Sequence, residues 1–328
     1  MNRELPSKVV HGGRVRQFYQ EIGEKAIDFS ANLNPWPPAI PIEFTSDILS
    51  SYPDDRYLRL KEIIAERFHR PVDEIAVGNG SIELIRVFCL ATLSRGDRVR
   101  IRNPTFGEYE LSARLAGATP AGDGQPADAG FLCNPNNPTG ILQNKRSVLD
   151  LLFDMEILFV DEAFIELSDI SQSVADVRDS ALFICRSLTK CFSVPGIRFG
   201  YGFGDPDLIA RIETIRPPWS VNSVAEEYAI RAFEKFDQLE LCRSRIQAER
   251  EWLISALRNL PLTIHPSDTN FLLLTFPYDV ATLCTDLSRK GILVRDCHSF
   301  GLPDSIRLAV RTREENARLL EAMGECMR

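Results

Sequence analysis

A lysine, an aspartate, a glycine-rich turn and an arginine stand in this 328-residue sequence where each could do chemistry. Lys190 lies in Ser187-Leu188-Thr189-Lys190, just after the apolar run Leu182 to Cys185. Asp161 directly follows a second apolar run, Ile157 to Val160. Gly78-Asn79-Gly80-Ser81 follows a third, Ile75 to Val77, and opens a stretch of helical periodicity. Arg198 comes shortly after the lysine, and Asn137 lies in Asn134-Pro135-Asn136-Asn137-Pro138-Thr139-Gly140. Singly, each has an ordinary reading: a helix cap or ion-pair partner, a solvated lysine, a turn before a helix. Together they are more specific. A lysine amine can form a Schiff base with an aldehyde, and a carboxylate can keep a pyridinium nitrogen protonated. A helix N-terminus with an arginine beside it can seat a phosphate. Those are the parts needed to hold pyridoxal phosphate.

Such residues need strand ends to hold them. Leu58, Leu60, Ile63, Ile64 and Phe68 recur at helical spacing, as do Ile82, Ile85, Val87, Phe88 and Leu90. Short apolar runs at Ile75–Val77, Val99–Ile101, Phe131–Cys133, Ile157–Val160 and Leu182–Cys185 alternate with helical stretches. That alternation predicts an α/β fold with a parallel sheet covered on both faces, and a ligand beyond the carboxyl ends of its strands. The first stretch, to about Pro38, is irregular and carries the polar run Asp28 to Pro35. After Pro217-Pro218-Trp219 the texture changes to a long helical stretch from about Val221 to Leu257. Strands at 270–275, 292–294 and 306–310 and a last helix over about 314–327 follow. The expected organisation is an N-terminal arm (1–38) belonging with a small domain, a large cofactor-binding domain (39–222) and a small C-terminal α+β domain (223–328).

Composition narrows the function classes. Hydrophobic residues make up 44% and charged residues 26%, which supplies a large core and excludes disorder as a whole-chain reading. A net charge of -8 argues against a nucleic-acid partner. No apolar run approaches the ~18 residues of a membrane helix, and the first residues lack the apolar centre of a secretory signal. The eight cysteines form no CxxC pair, which fits reduced thiols and a cytoplasmic location. The four histidines show no metal-binding spacing, so no metal is expected.

Three further motifs turn this set into a resemblance: Asp161-Glu162-Ala163-Phe164, Ser187-Leu188-Thr189-Lys190, and Pro195-Gly196-Ile197-Arg198-Phe199-Gly200-Tyr201. With Asn134 to Gly140 they resemble the class I/II aminotransferase superfamily, the pyridoxal-phosphate-dependent transferases of fold type I, from about His11 to the C-terminus. The resemblance implies a large parallel-rich α/β domain, a smaller α+β domain and a homodimer. It makes Lys190 the Schiff-base lysine, Asp161 the partner of the pyridine nitrogen, and Asn137 a donor to the ring 3-oxygen. The Gly80, Ser81 and Ile82 amides, Ser187 and Arg198 would hold the cofactor phosphate. Phe106, in Pro104-Thr105-Phe106-Gly107-Glu108-Tyr109, would stack on the ring, and Tyr52 would reach the partner subunit's cofactor phosphate. Against the family pattern, the 118–130 segment and the stretch before Asp161 are short, and Cys191 stands where relatives carry a larger residue.

Two branches of the superfamily compete: histidinol-phosphate aminotransferases and the L-threonine-O-3-phosphate decarboxylases of cobalamin biosynthesis. Four features resemble the second. They are His11-Gly12-Gly13 ahead of Asp28 to Pro35, Phe164 in place of a tyrosine, Pro218-Trp219-Ser220-Val221-Asn222, and the arginine pair in Ile306-Arg307-Leu308-Ala309-Val310-Arg311. The expectation is therefore decarboxylation of L-threonine-O-3-phosphate to (R)-1-aminopropan-2-ol O-phosphate. Arg307 would bind the substrate carboxylate, with Arg295, His11 and Asn32 on the phosphate side. Arg311 is open between a site role and a surface role.

Overall fold

The structure, a computed structural model, describes residues 6–13, 26–41, 48, 50–122 and 124–327. Its larger sheet draws on residues 75–203. The elements are β1 (Ile27–Asp28), α1 (Leu58–Phe68), β2 (Ile75–Gly78), α2 (Ser81–Thr92), β3 (Arg98–Ile101), α3 (Glu108–Ala116) and β4 (Thr119–Pro120). They continue with β5 (Ala129–Cys133), α4 (Lys145–Asp150), β6 (Ile157–Asp161), β7 (Leu182–Ser187), α5 (Leu188–Cys191), β8 (Gly200–Phe203) and α6 (Pro206–Ile215). Seven strands pair in the order β2-β8-β7-β6-β5-β3-β4. Neighbouring residues of β6 face opposite ways, and both faces are covered. Leu158 and Val160 join a core with α1 residues Leu60 and Ile64, whereas Phe159 joins Phe88 of α2, Phe131 and Phe183 on the other side. Burial on both faces is what makes these strands read as continuous apolar runs.

The sheet is mixed rather than parallel throughout. β8 runs antiparallel between β2 and β7. Its sequence, Gly200-Tyr201-Gly202-Phe203, lacks an apolar run because two positions have no room for a side chain. A Cβ on Gly200 would lie 2.4 Å from the Ser81 amide nitrogen, and one on Gly202 would lie 2.6 Å from the Phe183 ring. The glycines that hide the strand are those that let α2 and β7 close on it.

The remaining elements are α7 (Ser223–Glu234), α8 (Leu239–Leu257), β9 (Thr263–Ile264), β10 (Phe271–Thr275), α9 (Ala281–Arg289), β11 (Ile292–Leu293), β12 (Arg295–Asp296), β13 (Ser305–Ala309) and α10 (Arg313–Cys326). The helical stretch expected over 221–257 is two helices, parted by a 3₁₀ turn at Phe236–Gln238. Phe236 and Leu239 stay buried across the break, so the apolar pattern does not reveal it. The strand expected over 292–294 also divides. β11 pairs in parallel with β1, whereas β12 joins the sheet β12-β13-β10-β9. Ile27 and Phe29 thereby enter a third core with Leu253, Leu272, Leu308 and Leu319. Among the described residues no helix is long and apolar enough to cross a membrane.

Gly200→Ala should force the N-terminus of α2 away from β8. The overpacking should cost about 1–3 kcal/mol, read as a lower midpoint in thermal or urea unfolding. A variant as stable as the parent would show that this contact yields easily.

Candidate active site

Most of the sequence-selected residues gather where the parallel strands of the large sheet end. Asp161 closes β6, Ser187 closes β7, and Gly78 closes β2 opposite Gly200. Gly80 adopts φ +76°, and a Cβ there would lie 2.3 Å from Nη2 of Arg198. The arginine head group therefore rests on bare backbone at the start of α2. The Ser81 and Ile82 amides belong to the first turn of that helix, where N–H groups lack intrahelical partners and the dipole is positive. Ser187 accepts from the Thr189 amide (3.2 Å) and donates to the Phe199 carbonyl (3.3 Å), which fixes the short helix that carries Lys190. Arg198 donates to the Pro195 carbonyl at 3.2 Å.

Asp161 is buried, 4% exposed. Its Oδ2 accepts from the Tyr109 hydroxyl at 2.7 Å and its Oδ1 from the Ala163 amide at 2.9 Å. Burial raises the pKa of this carboxyl, and the two donors oppose that shift. Tyr109 was not singled out from sequence. Its position three residues after Phe106, one helical turn, was the available signal. Lys190 has its pKa lowered to about 8, first by burial and then by the charges of Arg307 and Arg198. Its Nζ lies 5.8 Å from the centre of the Phe164 ring, which packs edge-on against Phe271 at 5.0 Å.

The other wall comes from the small sheet and the arm. Arg295 and Arg307 are direct cross-strand partners on β12 and β13, and both are buried. Arg307 donates through Nη1 to Asn137 Oδ1 and through Nη2 to the Ser30 carbonyl at 2.7 Å; its Nε has no partner. Burial, with Arg295 contributing, lowers the pKa of Arg307 to about 10. Arg295 donates to the Val10 carbonyl and the Ser299 hydroxyl, both at 2.6 Å. Asn32 is 1% exposed, and neither polar atom of its side chain has a hydrogen-bond partner. A buried amide left unpartnered is costly, and it suits a site completed by a ligand.

His11 arrives with Nε2 already 2.8 Å from Glu108 Oε1, its ring 5.8 Å from that of Phe106. Arg311 is half-buried. It donates to the Asp28 carbonyl (3.0 Å) and to Glu315 (2.7 Å), and so joins the arm to α10. Tyr52 stands apart: it is 79% exposed and packs on Trp219 at 4.6 Å. A second residue missed from sequence is Asn34. Its amide N–H donates to the Lys190 carbonyl (3.0 Å) and its Nδ2 to the Cys191 carbonyl (2.8 Å). The Asn32-Leu33-Asn34-Pro35 run was visible, but not its contact with a residue over 150 positions away.

These groups fit pyridoxal phosphate. A bare helix N-terminus with Arg198 across it suits the phosphate, a lysine of lowered pKa suits the aldehyde, and a buried carboxylate suits the ring nitrogen. Among the described residues no cluster of histidine, cysteine or carboxylate side chains could hold a metal ion.

The comparisons agree with that chemistry. The family model described as aminotransferase class I and II matches residues 31–121 and 124–323. A protein named "Putative threonine-phosphate decarboxylase" from Caldanaerobacter subterraneus subsp. tengcongensis is 36% identical, over 95% of this chain and 92% of its own length. Histidinol-phosphate aminotransferase 2 of Archaeoglobus fulgidus is 34% identical, over 92% and 93%. The crystal structure of L-threonine-O-3-phosphate decarboxylase from Porphyromonas gingivalis superposes with a TM-score of 0.75 at 27% identity, covering 84% of this chain and 93% of that one. Relatives with the aminotransferase name are the more numerous of the two kinds.

With its pKa lowered to about 8, Lys190 should react as a free amine well below the usual lysine range. Cofactor-free protein treated with pyridoxal phosphate and then borohydride should take up label at Lys190 with a midpoint near pH 8. Lys190→Ala should remove that label, which peptide mapping would show. A midpoint near 10.5 would contradict the environment described.

Proposed function

The chain belongs to the aminotransferase class I and II family, has fold type I and uses pyridoxal 5'-phosphate, and from that premise we propose that it decarboxylates a short phosphorylated amino acid, L-threonine-O-3-phosphate. The observation that carries the reading is the buried cross-strand pair Arg295 and Arg307. Like charges placed opposite one another destabilise a sheet. Among the described residues no carboxylate lies within ion-pair distance of Arg307. A ligand with two anionic groups relieves that arrangement, and threonine phosphate carries a carboxylate and a phosphate a few bonds apart. Phe164 also supports the reading, because an apolar ring rather than a hydroxyl faces Lys190.

In this reading Lys190, Asp161, Asn137, Ser187, Arg198 and the amides of Ser81 and Ile82 hold the cofactor, with Phe106 against its ring; the Gly80 amide, expected from sequence to join them, is instead taken by the Gly78 carbonyl at 2.8 Å, and Gly80 serves by leaving room for Arg198. When bound, the cofactor supplies an electron sink for the pair left at the α-carbon as carbon dioxide departs. Arg307 grips the carboxylate and sets which α-carbon bond stands out of plane. Arg295 and Asn32 meet the phosphate, and His11 approaches it from the Glu108 side. Nζ of Lys190 delivers the proton that replaces the carboxylate. Low exposure around Asp161 and Arg307 keeps water from competing for these groups. Tyr52, exposed in a single chain, belongs to a homodimer in which it reaches the partner's cofactor phosphate.

The test runs L-threonine-O-3-phosphate and histidinol phosphate side by side, each with and without 2-oxoglutarate. Release of carbon dioxide and aminopropanol phosphate without an oxo acid supports the reading. Glutamate formation from histidinol phosphate at a comparable rate overturns it in favour of an aminotransferase. Unphosphorylated threonine should turn over far more slowly, since it lacks the group that Arg295 and the unpartnered Asn32 amide would hold. Arg307→Ala should reduce kcat/KM by about a hundredfold or more, as loss of a charged hydrogen bond and of orientation would.

Tyr52→Phe should weaken cofactor retention while leaving the sedimentation coefficient that of a dimer. A fully active monomer would contradict the assembly.

A further inference from the structure

Tyr109 has no part in the function proposed above, yet no other side chain donates to Asp161 among the described residues. Its ring is wholly buried. It stacks on Phe131 at 5.5 Å and 19°, and meets Phe106 edge-on at 5.5 Å and 81°. Those contacts fix the ring so that its hydroxyl donates to Oδ2 of Asp161 at 2.7 Å, with the Cys133 thiol beside it. Phe106 lies two residues before α3 and Tyr109 in its first turn, and the Tyr109 N–H donates to the Phe106 carbonyl at 3.3 Å. One face of that turn therefore supplies a ring for the site and a donor to Asp161.

Asp161 is an unusual anion. Both donors it receives, the Tyr109 O–H and the Ala163 N–H, are neutral. Among the described residues no cation lies within ion-pair distance of it. Its side chain projects from the middle of a row, with Cys133 and Cys185 as its register neighbours on β5 and β7. Burial pushes both of those thiols far up, so neither brings a compensating charge. Burial tightens the hold of this carboxylate on a proton and the charge of Glu162 adds to that, whereas the two hydrogen bonds and the more distant charge of Lys190 loosen it; of the two hydrogen bonds only that of Tyr109 comes from a side chain. The Tyr109 proton is itself secure. Burial and the charge of Asp161 raise its pKa far above the usual phenol value, so the hydroxyl remains a donor across any working pH.

We infer that Tyr109 is a positioning residue that acts through Asp161: its hydroxyl aims the carboxylate and weakens its hold on the proton shared with the cofactor's ring nitrogen, so that this proton stays on the ring. The inference rests on the reading that Asp161 faces that nitrogen; it does not depend on the substrate or on the bond broken. Without the hydroxyl, one carboxylate oxygen loses its donor. Asp161 becomes the stronger base, and the proton moves from the ring nitrogen toward the carboxylate.

The test is nitrogen-15 NMR of the protein reconstituted with ring-labelled pyridoxal phosphate, without substrate. The parent should give a signal in the pyridinium range. Tyr109→Phe should move it toward neutral pyridine and lower kcat about tenfold or more, the scale of one hydrogen bond to a charged group, with KM little changed. Tyr109→His, which restores a donor, should recover part of the shift. Fluorotyrosine placed at position 109, a stronger donor of nearly the same size, should move the signal the opposite way. This variant keeps the packing and so decides the matter even where Tyr109→Phe does not fold. A signal unmoved by Tyr109→Phe or by fluorotyrosine overturns the inference. Asp161→Asn is the separate control. If it leaves the pyridinium signal in place, the reading of Asp161 itself fails, and the two failures are distinguishable.

Discussion

A buried guanidinium holds the two chemical strands in step. Arg186, 2% exposed, donates to Glu162 (2.9 Å), Glu166 (2.5 Å) and the Ser173 hydroxyl (2.6 Å). Ser173 and the Val174 amide complete the coordination of Glu162, both at 2.8 Å. Glu162 is the residue after Asp161, and Arg186 is the residue before Ser187. Breaking such a network leaves a bare charge in the interior, a loss of about 3–5 kcal/mol. The network therefore ties the ends of β6 and β7 to one relative height, and with them the carboxylate of Asp161 and the turn of Lys190. It reaches further through Arg243 of α8, which donates to the Glu166 carbonyl at 3.3 Å. The long helix beside the small sheet is thus anchored beneath the site.

Above that network the charges are left unbalanced. Arg186 has two carboxylates, whereas Arg307 has a side-chain amide and a backbone carbonyl. Lys190 and Arg307 both have lowered pKa values because burial and neighbouring cations outweigh the anions nearby, Asp28 at both and Asp161 at the lysine. The fold sustains these costs because the large sheet and its two cores supply far more burial than the site removes. A positive, partly dehydrated wall at the end of a sheet is a place where an anionic ligand restores the balance.

The arm connects the two halves. Asp28 and Phe29 align with β11 and β13, the Ser30 carbonyl receives Arg307, and Asn34 grips the Lys190 turn. Asp28 Oδ1 closes the bend between them by accepting from the Ser30 amide (2.8 Å) and hydroxyl (2.6 Å). Seven residues thus reach the small sheet, the candidate substrate arginine and the lysine in turn. A shift in any one of these is felt by the other two through hydrogen bonds rather than through a flexible linker.

Much of this was legible in the residues, for a local reason. The strands ending at Gly78, Cys133, Asp161 and Ser187 announce themselves because strands buried on both faces must be apolar. The glycines, Asp161, Asn137 and Lys190 interrupt that pattern where the chain emerges. The sequence alone therefore determined the α/β class, the family and the candidate cofactor residues. It could not reveal β8, whose glycines are required by α2 and the Phe183 ring rather than by the strand itself. Nor could it reveal that Arg295 and Arg307 stand opposite one another, that Glu108 takes up His11, that Asn34 holds the lysine turn, or that Tyr109 supports Asp161. The arginine pair depends on the register of two neighbouring strands, and the others depend on contacts between segments far apart in the chain. The type of a residue limits what it can do, but whether a charge finds a partner is settled only when folding removes the water and brings the distant group within about 3 Å.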